Sequence, residues 1–322
     1  MPENKLISKI MHRVFDRVMN AGLMQEELTA EGQRYITEGM PELLRQAGAE
    51  SCVLLENDGV LPLDKNKSIA VFGRCQLDWF YVGYGSGGDV SAPYYVNFMQ
   101  GLANAGAAYD KEISEIYRTW CESREHMADH GWWGHWPMSH PEMPLDEDAV
   151  KAAAKRADTA VVVIGRAAGE DRENTLTEGS YYLTAEELRM LDLVTSAFSR
   201  TAIVLNIGNI IDMSWISKYK ASISAVLVAW MGGMESGNAV CDVLFGKTSP
   251  CGKLPDSIAK RYEDYPSAAN FGGKAFNEYA EDIFMGYRYF DLHPEKVLYP
   301  FGFGLSYTSF KTEAGKHCLK TC

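Results

Sequence analysis

The residue best placed to do chemistry in this chain is Glu170. It follows the run Val161-Val162-Val163-Ile164-Gly165-Arg166-Ala167-Ala168-Gly169, an apolar stretch that enters a small-residue turn, and it stands beside Asp171, Arg172 and Glu173. In open α/β sheets, ligands bind outside the carboxyl ends of the strands. A carboxylate there, flanked by a second acid, can have the raised pKa that a general acid needs near neutral pH, while Arg172 pulls the other way. The competing reading of these four residues is a solvated loop laced with surface ion pairs, which contribute little. Residue types alone leave both readings open.

Two other segments carry candidate chemistry. Gly83-Tyr84-Gly85-Ser86-Gly87-Gly88 formally matches Gly-x-Gly-x-x-Gly. A dinucleotide site needs that motif directly after a strand and at the start of a helix. Here the preceding strand is predicted over 68–73, and Pro93 intervenes before any helix. The context favours a structural turn, or a tight loop that offers backbone N–H groups and Ser86 to a polar ligand. The loop also falls short of the Gly-x-Ser-x-Gly elbow of a serine hydrolase. The second segment, Gly131-Trp132-Trp133-Gly134-His135-Trp136, crowds three indoles into one loop. They serve either as a plug over the core or as a flat surface for a sugar ring. His135 and His140 have no ligand partner at i, i+4 spacing, so no metal site is expected.

These side chains must be positioned by regular elements. Ile7, Ile10, Met11, Val14, Phe15 and Val18 recur at the spacing of one helix face, and a second helix is predicted over 37–49. Short apolar runs predict strands at 52–55, 68–73, 159–164, 202–206 and 225–229. Helices are predicted between Pro93 and the 101–106 region, over 148–155, and over 184–199, where Thr184 is an N-cap with acids in the first turn. Residues 122–146 read as a long loop. Strand and helix in alternation predict an α/β fold, with a mostly parallel sheet covered on both faces. Beyond Gly246 the alternation gives way to loops and short strands.

Composition narrows the classes further. The chain has 322 residues, 46% of them hydrophobic, which is enough for a large core. Its net charge of −12 disfavours nucleic acid and anionic membrane as partners, because both reward clustered Lys and Arg. The 7 cysteines are odd in number and widely spaced, which fits buried reduced thiols in a cytoplasmic protein better than a disulfide framework. The first 23 residues carry charges throughout and lack the apolar core of a signal peptide.

Several blocks, in order, resemble the αβα-sandwich domain of glycoside hydrolase family 3, the β-glucosidase family. They are Ser51-Cys52-Val53-Leu54-Leu55-Glu56-Asn57-Asp58-Gly59-Val60-Leu61-Pro62-Leu63, the glycine-serine loop from Gly83, Leu205-Asn206-Ile207-Gly208-Asn209, and Trp230-Met231-Gly232-Gly233-Met234-Glu235-Ser236-Gly237. Asp242-Val243-Leu244-Phe245-Gly246, Ser249-Pro250-Cys251-Gly252-Lys253-Leu254-Pro255, Gly286-Tyr287-Arg288-Tyr289-Phe290 and Tyr299-Pro300-Phe301-Gly302-Phe303-Gly304-Leu305-Ser306-Tyr307-Thr308 complete the set. The resemblance implies a three-layer αβα sandwich over 46–310, preceded by a helical segment over 1–45 and followed by a tail over 311–322.

It also implies that Glu170 is the acid/base carboxylate of a retaining hydrolase of terminal β-D-glucosyl residues, with Glu173 as the alternative. Ser86, Asp171 and Arg172 are then substrate-binding candidates. No cofactor is implied. The family's nucleophile is an aspartate in a Ser-Asp-Trp-type motif on a separate (β/α)₈ barrel. Leu77-Asp78-Trp79 is a poor imitation of that motif and lies in the wrong domain. A barrel needs about 200 residues or more, for which no room remains. The chain resembles the subgroup with sandwich first and barrel later. It is therefore expected to be the amino-terminal part of a longer enzyme, inactive alone, and to self-associate through the face that would meet the barrel. The alternatives are a non-catalytic carbohydrate-binding or interaction module and, more remotely, a nucleotide-binding domain.

Overall fold

A computed structural model describes residues 36–311 apart from 86, 87, 89, 91, 130, 132–134, 171, 274 and 310. The predicted first helix, Ser86, Trp132, Trp133, Asp171 and residues 312–322 lie outside the described residues. The centre is a five-stranded sheet built from β1 (Val53–Asn57), β2 (Ile69–Phe72), β3 (Thr159–Arg166), β4 (Thr201–Ile207) and β5 (Ile223–Val228). Its order is β1-β5-β4-β3-β2, with β2 to β5 parallel and β1 antiparallel on β5. Every residue of β3 and β4 is buried, as expected of parallel strands covered on both sides.

Side-chain alternation splits the core in two. Val162, Ile164, Ile203 and Leu205 face one helical layer, and Val161, Val163, Ala202 and Val204 face the other. The second layer holds α1 (Met40–Ser51) and α2 (Phe98–Ala105). The first layer holds α3 (Lys111–Cys121), α4 (Glu147–Ala154) and α5 (Ala185–Ala197). Helix α6 (Ser236–Leu244), buried along its whole length, completes the second layer. It meets α2 where two glycines face each other: a Cβ at Gly101 would lie 2.2 Å from the Gly237 carbonyl. Burying each large aliphatic or aromatic side chain in these layers contributes about 1.5–3 kcal/mol.

The predicted strands fall where the apolar runs place them, with ends that differ by no more than two residues: β3 and β4 are longer than predicted, β2 is one residue shorter at each end, and β1 and β5 are shifted. Helix α1 runs through position 45 and packs on α6, with Ala49 and Ala239 in one core cluster. Helix α3 lies in a stretch for which no element is predicted. Among their described residues, 246–310 hold a two-stranded ribbon of β6 (Ile258–Ala259) and β7 (Val297–Tyr299), a short helix α7 (Tyr287–Leu292) and two 3-10 turns at Tyr262–Asp264 and Pro294–Lys296. Among the described residues no helix is long and apolar enough to cross a membrane. Of the five described cysteines, four are buried thiols and Cys251 is exposed.

Candidate active site

The carboxyl ends of β2, β3, β4 and β5 converge on one edge of the sheet, and Glu170 emerges there. The loop after β3 is held by the glycine loop after β2. Tyr84 donates its N–H to Ala168 O at 2.8 Å and accepts from Glu170 N at 3.1 Å. Glu170 itself is exposed. Gly85 lies against it at φ +108, and a Cβ there would come 2.4 Å from Glu170 Cβ and 3.0 Å from Oε2. The structure therefore brings Glu170 and the 83–88 loop together. Ser86 and Asp171 belong to the same two loops but fall outside the described residues.

Arg172 is half-buried and tied to backbone carbonyls beside Glu170. Its Nη2 donates to the carbonyl of Trp136, its N–H bonds to Gly169 O at 3.2 Å, and Glu173 is exposed beyond it. Trp136 is 5% exposed and stacks on Tyr84 at 5.4 Å and 6°. Of the two readings of the indole cluster, Trp136 takes the core one: it is a plug under the Glu170 loop. His140 is likewise buried, stacked on Phe80 at 5.0 Å.

Asp78 and Trp79 have structural roles. Arg74 Nε holds the Asp78 carboxylate at 2.6 Å, and Trp79 is buried in a stack on Phe98. Asp78 is thus tied down as an ion-pair partner.

Three supports were not recognised from sequence. Arg166, the last residue of β3, is fully buried and pairs with Glu187 at 2.6 Å while donating to the carbonyls of Gly165, Ser180 and Tyr182. Glu187 also accepts from Thr184 N at 2.8 Å, so one carboxylate caps α5 and anchors the strand end beneath Glu170. Asn206, at the end of β4, accepts from Phe80 N at 2.8 Å and donates to Phe80 O at 2.9 Å and Trp230 O at 2.7 Å. It pins the glycine-loop segment to the β5 end. Trp230 holds φ 55, a left-handed conformation that costs a non-glycine residue about 1–3 kcal/mol and concentrates at functional edges. The available sequence signal was a polar Arg or Asn closing an otherwise apolar strand.

A mostly parallel sheet covered on both faces by helices defines an α/β domain, with Glu170 exposed at its carboxyl edge. Residues 52–307 match the glycosyl hydrolase family 3 C-terminal domain, and the chain belongs to that family. It is 47% identical over 275 residues to a β-glucosidase of Ruminococcus albus, covering 85% of this chain and 29% of the relative. A β-glucosidase A of Butyrivibrio fibrisolvens is 40% identical over 84% of this chain and 35% of the relative. Among solved structures, a β-glucosidase from Paenibacillus barengoltzii superposes with TM-score 0.81 at 47% identity, covering 85% of this chain and 30% of that one. β-Glucosidase 3B of Thermotoga neapolitana gives 0.75 at 33%, covering 84% of this chain and 38% of that one. The chain thus spans about a third of the length of these relatives.

Proposed function

We propose that this chain supplies the acid/base half of a retaining β-glucosidase, with Glu170 as the proton donor. The observation that carries the reading is the exposure of Glu170 at the carboxyl edge of the sheet, wedged against Gly85, in a domain matched to β-glucosidases. In such a site a second carboxylate, about 5–5.5 Å from the first, attacks the anomeric carbon while Glu170 protonates the leaving oxygen. Glu170 then removes a proton from the water that hydrolyses the glycosyl-enzyme. The nucleophile is assigned to a barrel domain such as the longer relatives have room for, and the substrate to a terminal β-D-glucoside. Ser86, Asp171 and Arg172 are assigned to the rim of that site. Four buried thiols among the five described cysteines support a reduced, cytoplasmic setting.

Two measurements test this. The purified chain alone should release no aryl β-glucoside product at an enzymatic rate, because its only assigned catalytic group is half of a pair. Residues 52–307 should also be placed in the Ruminococcus albus relative in place of its matched segment. Glu170→Gln in that chimera should lower turnover by about 10²–10⁴-fold. A chimera that turns over equally well with Gln at 170 sinks the assignment, and Glu173→Gln is then the comparison to make.

A further inference from the structure

Between Phe271 and Met285 the described residues form an excursion whose hydrogen bonds close on itself and its flanks. Its described backbone bonds are local: Phe271 N to Ser267 O at 2.9 Å, Asp282 N to Tyr279 O at 3.2 Å and Phe284 N to Glu281 O at 2.8 Å. Its described side-chain bonds are local as well, from Asn270 to Glu278 O and from Gly273 N to Asn277 Oδ1 at 2.9 Å. Yet the excursion is rich in large apolar side chains, and they face outward. Phe271 is 64% exposed, Phe276 72%, Tyr279 82%, Ile283 65%, Phe284 44% and Met285 50%. The stacked pair Tyr287 and Phe301, 4.7 Å apart and also exposed, follows in the chain.

At roughly 200 Å² for a large side chain, these six expose about 700 Å² of mostly apolar surface. Summed over this one short segment, that approaches the ~800 Å² each partner contributes to a standard interface. The same stretch carries exposed acids at Glu278 and Asp282, and an exposed base, Arg288, follows it in α7 with its guanidinium 5.1 Å from the Tyr287 ring centre. A two-fold axis brings the same patch of both copies together, so the apolar side chains can meet each other while the acids of one copy face Arg288 of the other. We propose that the 271–285 excursion is an isologous interface between two copies of this chain. The proposal is independent of the glycosidase reading.

Sedimentation of the full chain tests it. The mass should rise from one chain to two, and stop there, between low micromolar and several hundred micromolar. The double variant Phe276→Asp/Tyr279→Asp should raise the dissociation constant at least tenfold with an unaltered circular dichroism melt. Leu43→Asp, on the exposed face of α1, should leave dimerisation as it is. A chain monomeric throughout the range overturns the proposal and points to cover by a further domain of a longer polypeptide. A dimer that survives the double variant, or a mass that climbs past two without a plateau, overturns it as well.

Discussion

Gly85 and Glu170 are in contact through a space that only glycine leaves. A Cβ on residue 85 would sit 2.4 Å from Glu170 Cβ, closer than side-chain carbons approach, and the backbone at φ +108 already disfavours any side chain. Gly85→Ala should therefore cost about 1–3 kcal/mol of stability and push the carboxylate off its position. Gly59 provides the control. Its φ of +100 imposes a similar backbone cost, but nothing lies within 4 Å of its missing Cβ. Urea unfolding should show both variants weakened. Only Gly85→Ala should lower turnover in the chimera, and equal turnover for the two would detach the 83–88 loop from the chemistry.

Beneath that contact lies the Arg166–Glu187 pair, with side-chain exposures of 0% and 6%. Breaking a buried pair strands a charge, at a cost of about 3–5 kcal/mol, whereas replacing both partners with apolar groups is often neutral. Glu187→Gln should destabilise by that amount, and Arg166→Met/Glu187→Leu should recover only the part due to the stranded charge, because the carbonyls of Gly165, Ser180 and Tyr182 and the Thr184 N–H then lose their partners. Denaturant midpoints for Arg166→Met, Glu187→Leu and the double variant give the coupling. A single variant costing less than about 1 kcal/mol would mean that the carbonyls of Gly165, Ser180 and Tyr182 alone hold the guanidinium.

The residues that were legible in sequence share a physical reason. Strands β3 and β4 are continuous apolar runs because both faces are buried, and Glu170 stands out because it breaks such a run after a turn of small residues. The Thr184–Glu187 capping box is readable because its two hydrogen bonds are local. Helix α6 carries no amphipathic stripe because it is buried on all sides, so only its glycine-rich entry signals an element there. Helix α3 did leave a signal: Asp110 caps it, and Ile113, Tyr117 and Cys121 bury one stripe. The Asn206 clamp spans 126 positions to Phe80, and no local pattern encodes a contact of that separation.

That clamp makes a graded prediction. Asn206→Leu keeps the volume but orphans Phe80 N–H and two carbonyls in a buried site, and each unmet group costs about 1–3 kcal/mol. Asn206→Asp keeps the acceptor for Phe80 N but turns an ionised oxygen towards the carbonyls of Phe80 and Trp230. At neutral pH the aspartate should be the worse variant. Below its pKa the protonated oxygen can donate again, and the order should reverse. Melting temperatures at pH 7 and pH 4 decide this, and an unchanged order would show that the carbonyls do not need a donor.

Glu142 should make the stability of the whole domain pH-dependent. It is 8% exposed, and burial pushes its carboxyl up to about 7, against the opposing pull of the Arg74 and Met143 backbone N–H groups that it accepts at 2.8 and 2.9 Å. An unfolded glutamate titrates near 4.3, so between roughly pH 4.5 and 7 the folded chain binds more protons than the unfolded one. Stability from this group is therefore full at the acid end and is lost as pH rises through about 7. The loss should be a few kcal/mol at most, given one displaced carboxyl. The group also ties the 122–146 loop to the end of β2, so the softening should be local to that loop before it is global. Hydrogen exchange at Arg74 and Met143 should accelerate between pH 5 and pH 8 beyond the intrinsic chemical rate. Glu142→Gln should flatten the slope of melting temperature against pH over that window. A slope that persists in Glu142→Gln would assign the dependence to other groups.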